Sequence, residues 1–238
     1  MFQKVIFCLL FLFIPLNRAA VNTVANSPFT SSEPVSELAA GELLFEEMEL
    51  GGTVNFIAFR QAVAGYNRIK EKSKPILTLI DFSKPSTEKR FFVFDMEKKK
   101  LLYSSVVAHG RNSGENYATS FSNQYGSYKS SLGFYLTENT YQGGNGYSLI
   151  LNGLEKGIND KAKARSIVVH GAPYANPSVA ASGRLGRSLG CPALPTKLAR
   201  PIINTIKDGS VMFIYANNPH YLAQSNICLL YTSDAADE

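Results

Sequence analysis

Cys191 and His170 are the residues of this chain whose types and spacing suit acyl transfer. Cys191 stands in GRSLGCP, where Gly186 and Gly190 permit turns that other residues resist and Pro192 fixes the exit of the chain. A thiol attacks a carbonyl only as its thiolate. A nearby imidazole can take that proton and later return it to a leaving amine. His170, followed by Gly171, ends the β-branched run Ser166 to Val169, where a side chain can leave a sheet for an open cleft. The backbone N–H groups of Leu189, Gly190 and Cys191 are candidates for an oxyanion hole. The arginine-flanked, glycine-rich turn predicts a thiol pKa below that of a free cysteine. Arg187 is the expected source of that charge.

These side chains need a rigid frame, and from Pro75 onward the apolar residues alternate. Ile76 to Phe82, Phe91 to Asp95, Leu101 to His109, Gly133 to Thr137, Tyr147 to Leu151, Ser166 to His170 and Val211 to Tyr215 read as strands of a mainly β, mostly antiparallel sandwich or barrel. Leu198 to Lys207 reads as one C-terminal helix, with Pro201 in its first turn. Ahead of the strands, Leu38 to Leu50 and Val54 to Lys72 carry apolar residues at three- and four-residue spacing. They predict a short helical pair braced on the sheet, broken at Gly51-Gly52 and capped by Thr53. The stretch Gly110 to Ser131 is long for a loop and holds Tyr117, Phe121, Tyr125 and Tyr128. It is expected to wall a substrate cleft, joined by Tyr135, Tyr141 and Tyr174.

His170-Gly171 followed by Ser188-Leu189-Gly190-Cys191 resembles the HG and S-x-G-C motif of the YkuD-type murein L,D-transpeptidases. DFSKPS from Asp81, VAHGRNSG from Val107, SSLGFY from Ser130 and HGAPY from His170 extend the resemblance over roughly Pro75 to Tyr221. It implies a YkuD β-sandwich with an edge cleft, and a cysteine acyltransferase acting on peptidoglycan stem tetrapeptides without a cofactor. Cys191 is then nucleophile and His170 base, with Gly171 and Ser188 in the substrate site. The product is a 3-to-3 cross-link, or a shortened stem where water replaces the amine. Carbapenems are expected to acylate Cys191. The chain departs from the commoner pattern where Pro192, Ala193 and Leu194 stand in place of an arginine shortly after the cysteine. Arg187 or Arg184 is expected to substitute.

His109 also precedes a glycine and competes for the role of base. The resemblance favours His170 and leaves His109 to line the pocket. A sortase-like transpeptidase would use His109, Cys191 and Arg200, but glycine rather than threonine precedes this cysteine. A papain-like enzyme would place its cysteine before its histidine. An inactive wall-binding domain would not need to retain His170, Ser188, Gly190 and Cys191. The three histidines show neither i, i+4 pairing nor an acidic cluster, so no metal site is expected.

Residues 1–20 have the order of a secretory signal peptide: one lysine, an apolar core from Val5 to Ile14, then small residues near Ala20 and Ala25. That core is shorter than the roughly 20 apolar residues of a membrane span. Export to a periplasm or cell wall, without a lasting membrane anchor, is therefore expected. Residues 21–37 read as a linker, 38–74 as the helical pair, 75–222 as the catalytic domain and 223–238 as a tail foreign to it, carrying Cys228. With Cys8 leaving in the signal, too few cysteines remain for a disulfide framework. The net charge of +5 is scattered and accompanies no nucleic-acid-binding motif, so nucleic acid is not an expected partner. A monomer is expected.

Overall fold

The computed structural model describes residues 33–228, so the expected signal peptide and most of the expected linker lie outside the described residues. Helix α1 (Glu33–Glu47) begins earlier than its apolar pattern suggested. Helix α2 (Phe56–Arg68) starts not at Thr53 but after Asn55, whose side chain accepts from the N–H groups of Ile57 and Ala58. Phe45 of α1 packs edge-on against Phe56 and Phe59, and Phe59 against Phe94 of the sheet. A Cβ at Gly65 would lie 2.0 Å from the Phe134 ring, so glycine sets how closely α2 approaches the sheet. No helix among the described residues is long and apolar enough to cross a membrane.

Eight strands form one sheet in the order β3-β2-β1-β8-β4-β5-β6-β7. They are β1 (Ile76–Asp81), β2 (Phe91–Asp95), β3 (Lys100–Ser105), β4 (Gly133–Gly143), β5 (Gly146–Gly153), β6 (Val168–Gly171), β7 (Ala193–Leu194) and β8 (Val211–Tyr215). Most pairs are antiparallel, but β1 with β8 and β6 with β7 are parallel. The sheet nearly closes on itself. The segment after β3 reaches the far edge, where Ala108 and Ala193 exchange hydrogen bonds of 2.8 and 3.2 Å and Ser188 N–H donates to the His109 carbonyl at 2.9 Å. Two consecutive residues were too short a pattern to reveal β7 in the sequence, yet this strand joins the cysteine turn to both neighbours.

Short helix α3 (Pro177–Ala180) follows β6, and α4 (Thr196–Ile206) begins two residues before its expected start, which puts Pro201 beyond the first turn. Of the expected tail, residues 223–228 are described, and they pack on the domain. Helix α5 (Pro219–Gln224) leads to Ser225 and Cys228, both buried, and Arg68 donates to the Ile227 carbonyl at 2.7 Å. Buried Glu155 accepts from Ser225 Oγ, Tyr221 Oη and Phe134 N–H, tying α5 to β4.

Candidate active site

Strands β6 and β7 run side by side with His170 opposite Ala193, so the turn carrying Cys191 lies beside the strand end carrying His170. Both side chains line a cleft of about 380 Å³ with Asn145, Arg165, Tyr174 and Arg187. His170 Nδ1 lies 3.1 Å from the Gly171 carbonyl. Donation to that oxygen assigns the proton to Nδ1 and leaves Nε2 as a proton acceptor. Burial lowers the His170 pKa, so the ring is neutral at rest.

The Cys191 turn is pinned from several sides. Ser188 Oγ donates to the Cys191 carbonyl at 2.6 Å and accepts from Gly190 N–H at 3.0 Å. Ser130 Oγ donates to the Gly190 carbonyl at 3.0 Å. Gly190 has φ +129°, and a Cβ there would meet Ile167 Cδ1 and the Lys129 carbonyl at 2.9 Å, so no other residue fits. Ser188 therefore shapes the turn, and Gly190 N–H is spent on it. The N–H groups of Leu189 and Cys191 have no hydrogen-bond acceptor among the described residues.

Cys191 is only 8% exposed, with Sγ near Val168 N–H at 3.5 Å and the Ser166 carbonyl at 3.6 Å. Ser166 holds this position with φ +58°, a conformation costly for a non-glycine residue. Burial pushes the thiol pKa up, against the opposing pull of Val168 N–H and the Arg165 guanidinium. The depressed thiol expected from the arginine-flanked turn is thus corrected: desolvation outweighs nearby charge, so the resting thiol in this cleft is protonated.

The cation acting on the thiol is Arg165, just ahead of the expected strand Ser166 to His170 and not among the expected site residues. Its Nη1 donates to Ser122 O at 2.7 Å and Ser131 Oγ at 3.2 Å, and its Nη2 to Lys129 O at 2.6 Å and Ser127 Oγ at 3.2 Å. All four acceptors are neutral. Among the described residues no carboxylate pairs with Arg165, so its charge stays uncompensated beside the cleft. Arg187 also lines the cleft, but its Nη1 lies 2.6 Å from Glu115 Oε1, and Arg184 bonds the other oxygen of the same carboxylate at 3.0 Å. The two arginines expected to supply charge are thus already engaged.

Other expected members fall elsewhere. His109 is 1% exposed and off the cleft; its Nδ1 accepts from Arg90 Nη2 at 2.7 Å and its Nε2 faces the Gly114 carbonyl at 3.3 Å. Burial and the Arg90 charge push its pKa down to about 4. Tyr135 is buried in the core, its hydroxyl donating to Ser131. Gly171 packs under α4, where a Cβ would lie 2.9 Å from Ala199 Cβ. Tyr174 does line the cleft, its phenol pushed up to about 12 by burial and then by Cys191. None of Tyr117, Phe121, Tyr125 and Tyr128 reaches it; their loop contributes backbone carbonyls and serines behind Arg165. Asn145, in the turn between β4 and β5, was not foreseen and does reach it.

The chain is similar to solved structures of L,D-transpeptidases. One from Mycobacterium smegmatis is 13% identical, with 60% of this chain and 59% of that one covered and a TM-score of 0.37. L,D-transpeptidase 3 from Mycobacterium tuberculosis is 14% identical over 59% of this chain and 61% of that one, with a TM-score of 0.38. One from Stackebrandtia nassauensis is 14% identical over 77% and 79%, with a TM-score of 0.36. The chain spans about three fifths of the length of the two mycobacterial proteins. No curated protein matches it. The model of the L,D-transpeptidase catalytic domain matches residues 51–215, more than half of the chain, and the chain belongs to that family.

Proposed function

We propose that this protein is an exported cysteine L,D-transpeptidase acting on the stem tetrapeptides of peptidoglycan. The observation that carries this is the cleft in which Cys191, His170 and the uncompensated Arg165 open together. His170 Nε2 takes the thiol proton as Sγ attacks the carbonyl of the third, L-centred residue. The Sγ–C bond forms, and the N–H groups of Leu189 and Cys191 receive the charge gathering on oxygen. The C–N bond to the terminal D-alanine then breaks, and His170 returns its proton to that amine.

The thioester is resolved by an amine from a second stem, giving a 3-to-3 cross-link, or by water, giving carboxypeptidase activity. Arg165 offsets the thiolate while it exists. Burial keeps the thiol neutral until substrate arrives, which protects it from oxidation.

Incubation with a disaccharide-tetrapeptide, followed by mass measurement of protein and products, tests the reading. A protein adduct lacking the mass of D-alanine is expected, and its absence with any tetrapeptide sinks the proposal. Cys191→Ala is expected to form no adduct.

A further inference from the structure

The aromatic side chains of loop 110–131 do not line the cysteine cleft, yet they build a second groove of about 340 Å³ on the edge where β1 and β8 end. Tyr117, Thr119 and Phe121 of the loop face Phe82 after β1 and Asn217 and Asn218 after β8. The Phe121 and Phe82 rings stack at 6.2 Å and 14°. Behind them the Arg90 guanidinium lies 4.9 Å from the centre of the Phe82 ring, and the His109 ring meets Phe82 edge-on at 5.9 Å. The buried Arg90–His109 pair thus fixes the aromatic floor, although it takes no part in the cleft chemistry. A smaller hollow continues the groove past Phe121 and Asn218 towards His220 and Gln224.

The chemistry of this groove differs from that of the cleft. No charged side chain lines its main part, whereas Arg165 and Arg187 line the cleft. Tyr117 is 51% exposed, and Phe121 remains partly accessible. The Asn217 amide and the Thr119 hydroxyl have no protein partner among the described residues. Asn218 spends only its oxygen, which accepts from Tyr221 N–H at 3.0 Å, so its NH₂ is left to donate. Aromatic rings beside uncharged amide and hydroxyl groups suit a ligand with apolar C–H faces and many neutral donors and acceptors. Pyranose rings bearing acetamido groups have both. A charged peptide would find no counter-ion here.

We propose that this groove binds a neutral N-acetylhexosamine oligosaccharide, with Tyr117 and Phe121 against the sugar faces and Asn217, Asn218 and Thr119 bonding its hydroxyl and acetamido groups. The site is independent of the cysteine chemistry.

The test titrates the full chain carrying Cys191→Ala with the β-linked tetramer of N-acetylglucosamine, followed by calorimetry and saturation-transfer NMR. Saturable binding is expected, weakened about tenfold by Tyr117→Ala and retained by Tyr117→Phe. Asn217→Ala is expected to weaken it several-fold. Tyr117 is exposed, so its replacement does not endanger the fold, and unchanged thermal unfolding confirms that. Absence of saturable binding overturns the proposal, as does binding indifferent to Tyr117→Ala and Asn217→Ala. Binding of a sugar-free stem tetrapeptide here, abolished by Tyr117→Ala, overturns it in favour of a peptide site.

Discussion

His109 and His170 each follow an apolar run and precede a glycine, yet the sheet makes them opposites. His170 lies at the end of β6 near the cysteine turn, and the only hydrogen-bond partner of its ring among the described residues is the next carbonyl. His109 lies where the chain after β3 crosses to close the sheet, and both of its nitrogens face protein partners. A histidine with a spare nitrogen in a cleft can move a proton. One with both nitrogens engaged beneath a buried arginine is a structural part, and here it braces the aromatic floor of the second groove. The same local sequence leaves a ring nitrogen without a protein partner in one place and makes a buried support in the other.

Exchanging each histidine for alanine tests this contrast most severely. His170→Ala is expected to lower thioester formation by about 10² to 10⁴-fold, the usual contribution of a general acid–base, in protein that still folds. His109→Ala is expected to cost about 2–4 kcal/mol of stability, because it opens a cavity and leaves Arg90 and Gly114 short of a partner. The folded fraction should still form the thioester. Urea unfolding and single-turnover mass measurement on both variants separate the two effects. The contrast breaks if His109→Ala abolishes chemistry in folded protein.

Acid should sharpen it next. His109 is held neutral with a pKa of about 4, while the unfolded chain takes up a proton near pH 6.5. Between those values the unfolded state binds more protons, so stability is present above about pH 6.5 and is lost as pH falls towards 4. A shift of that size corresponds to about 3 kcal/mol. Urea midpoints measured against pH should fall over this window in the wild type and much less in His109→Gln. His170, also lowered by burial, adds in the same direction. Equal slopes in the two proteins would mean that His109 is not the residue responsible.

The smallest expected effect concerns the cations. Arg165→Gln should move the pH midpoint of iodoacetamide labelling of Cys191 upward, because it removes a charge that favours the thiolate; Arg165→Lys should restore part of the difference. Arg187→Gln should leave the midpoint in place, since Glu115 already answers that charge. Labelling of the folded protein should stop at one adduct. Cys228 is 1% exposed, and burial and Glu155 push its thiol up to about 12. The reverse ranking of the two arginines would return the role to Arg187.

Much of this was legible in local sequence. Apolar, β-branched and aromatic runs marked seven of the eight strands; β1, β2 and β8 are buried at every position and show as continuous apolar runs rather than as alternation. The Gly190-Cys191 turn and the His170-Gly171 strand end were legible because their backbone needs are written in the residues themselves. The same local signals placed the two N-terminal helices, with ends that shifted by several residues where a cap such as Asn55 overrode the apolar pattern. What sequence alone determined is therefore the set of elements and the chemistry each carries.

Tertiary structure alone decided which of those residues meet. Arg165 is 26 positions from the cysteine, and only the parallel pairing of β6 with β7 sets it beside the thiol. Arg187, close in sequence, is engaged by Glu115 from a distant loop, which it shares with Arg184. Whether a thiol is raised or lowered depends on how much solvent is excluded and on which charges remain unpaired, and both are properties of packing. The roles of the two HG pairs diverge for the same reason: a histidine's free nitrogen is defined by what the rest of the chain brings against it.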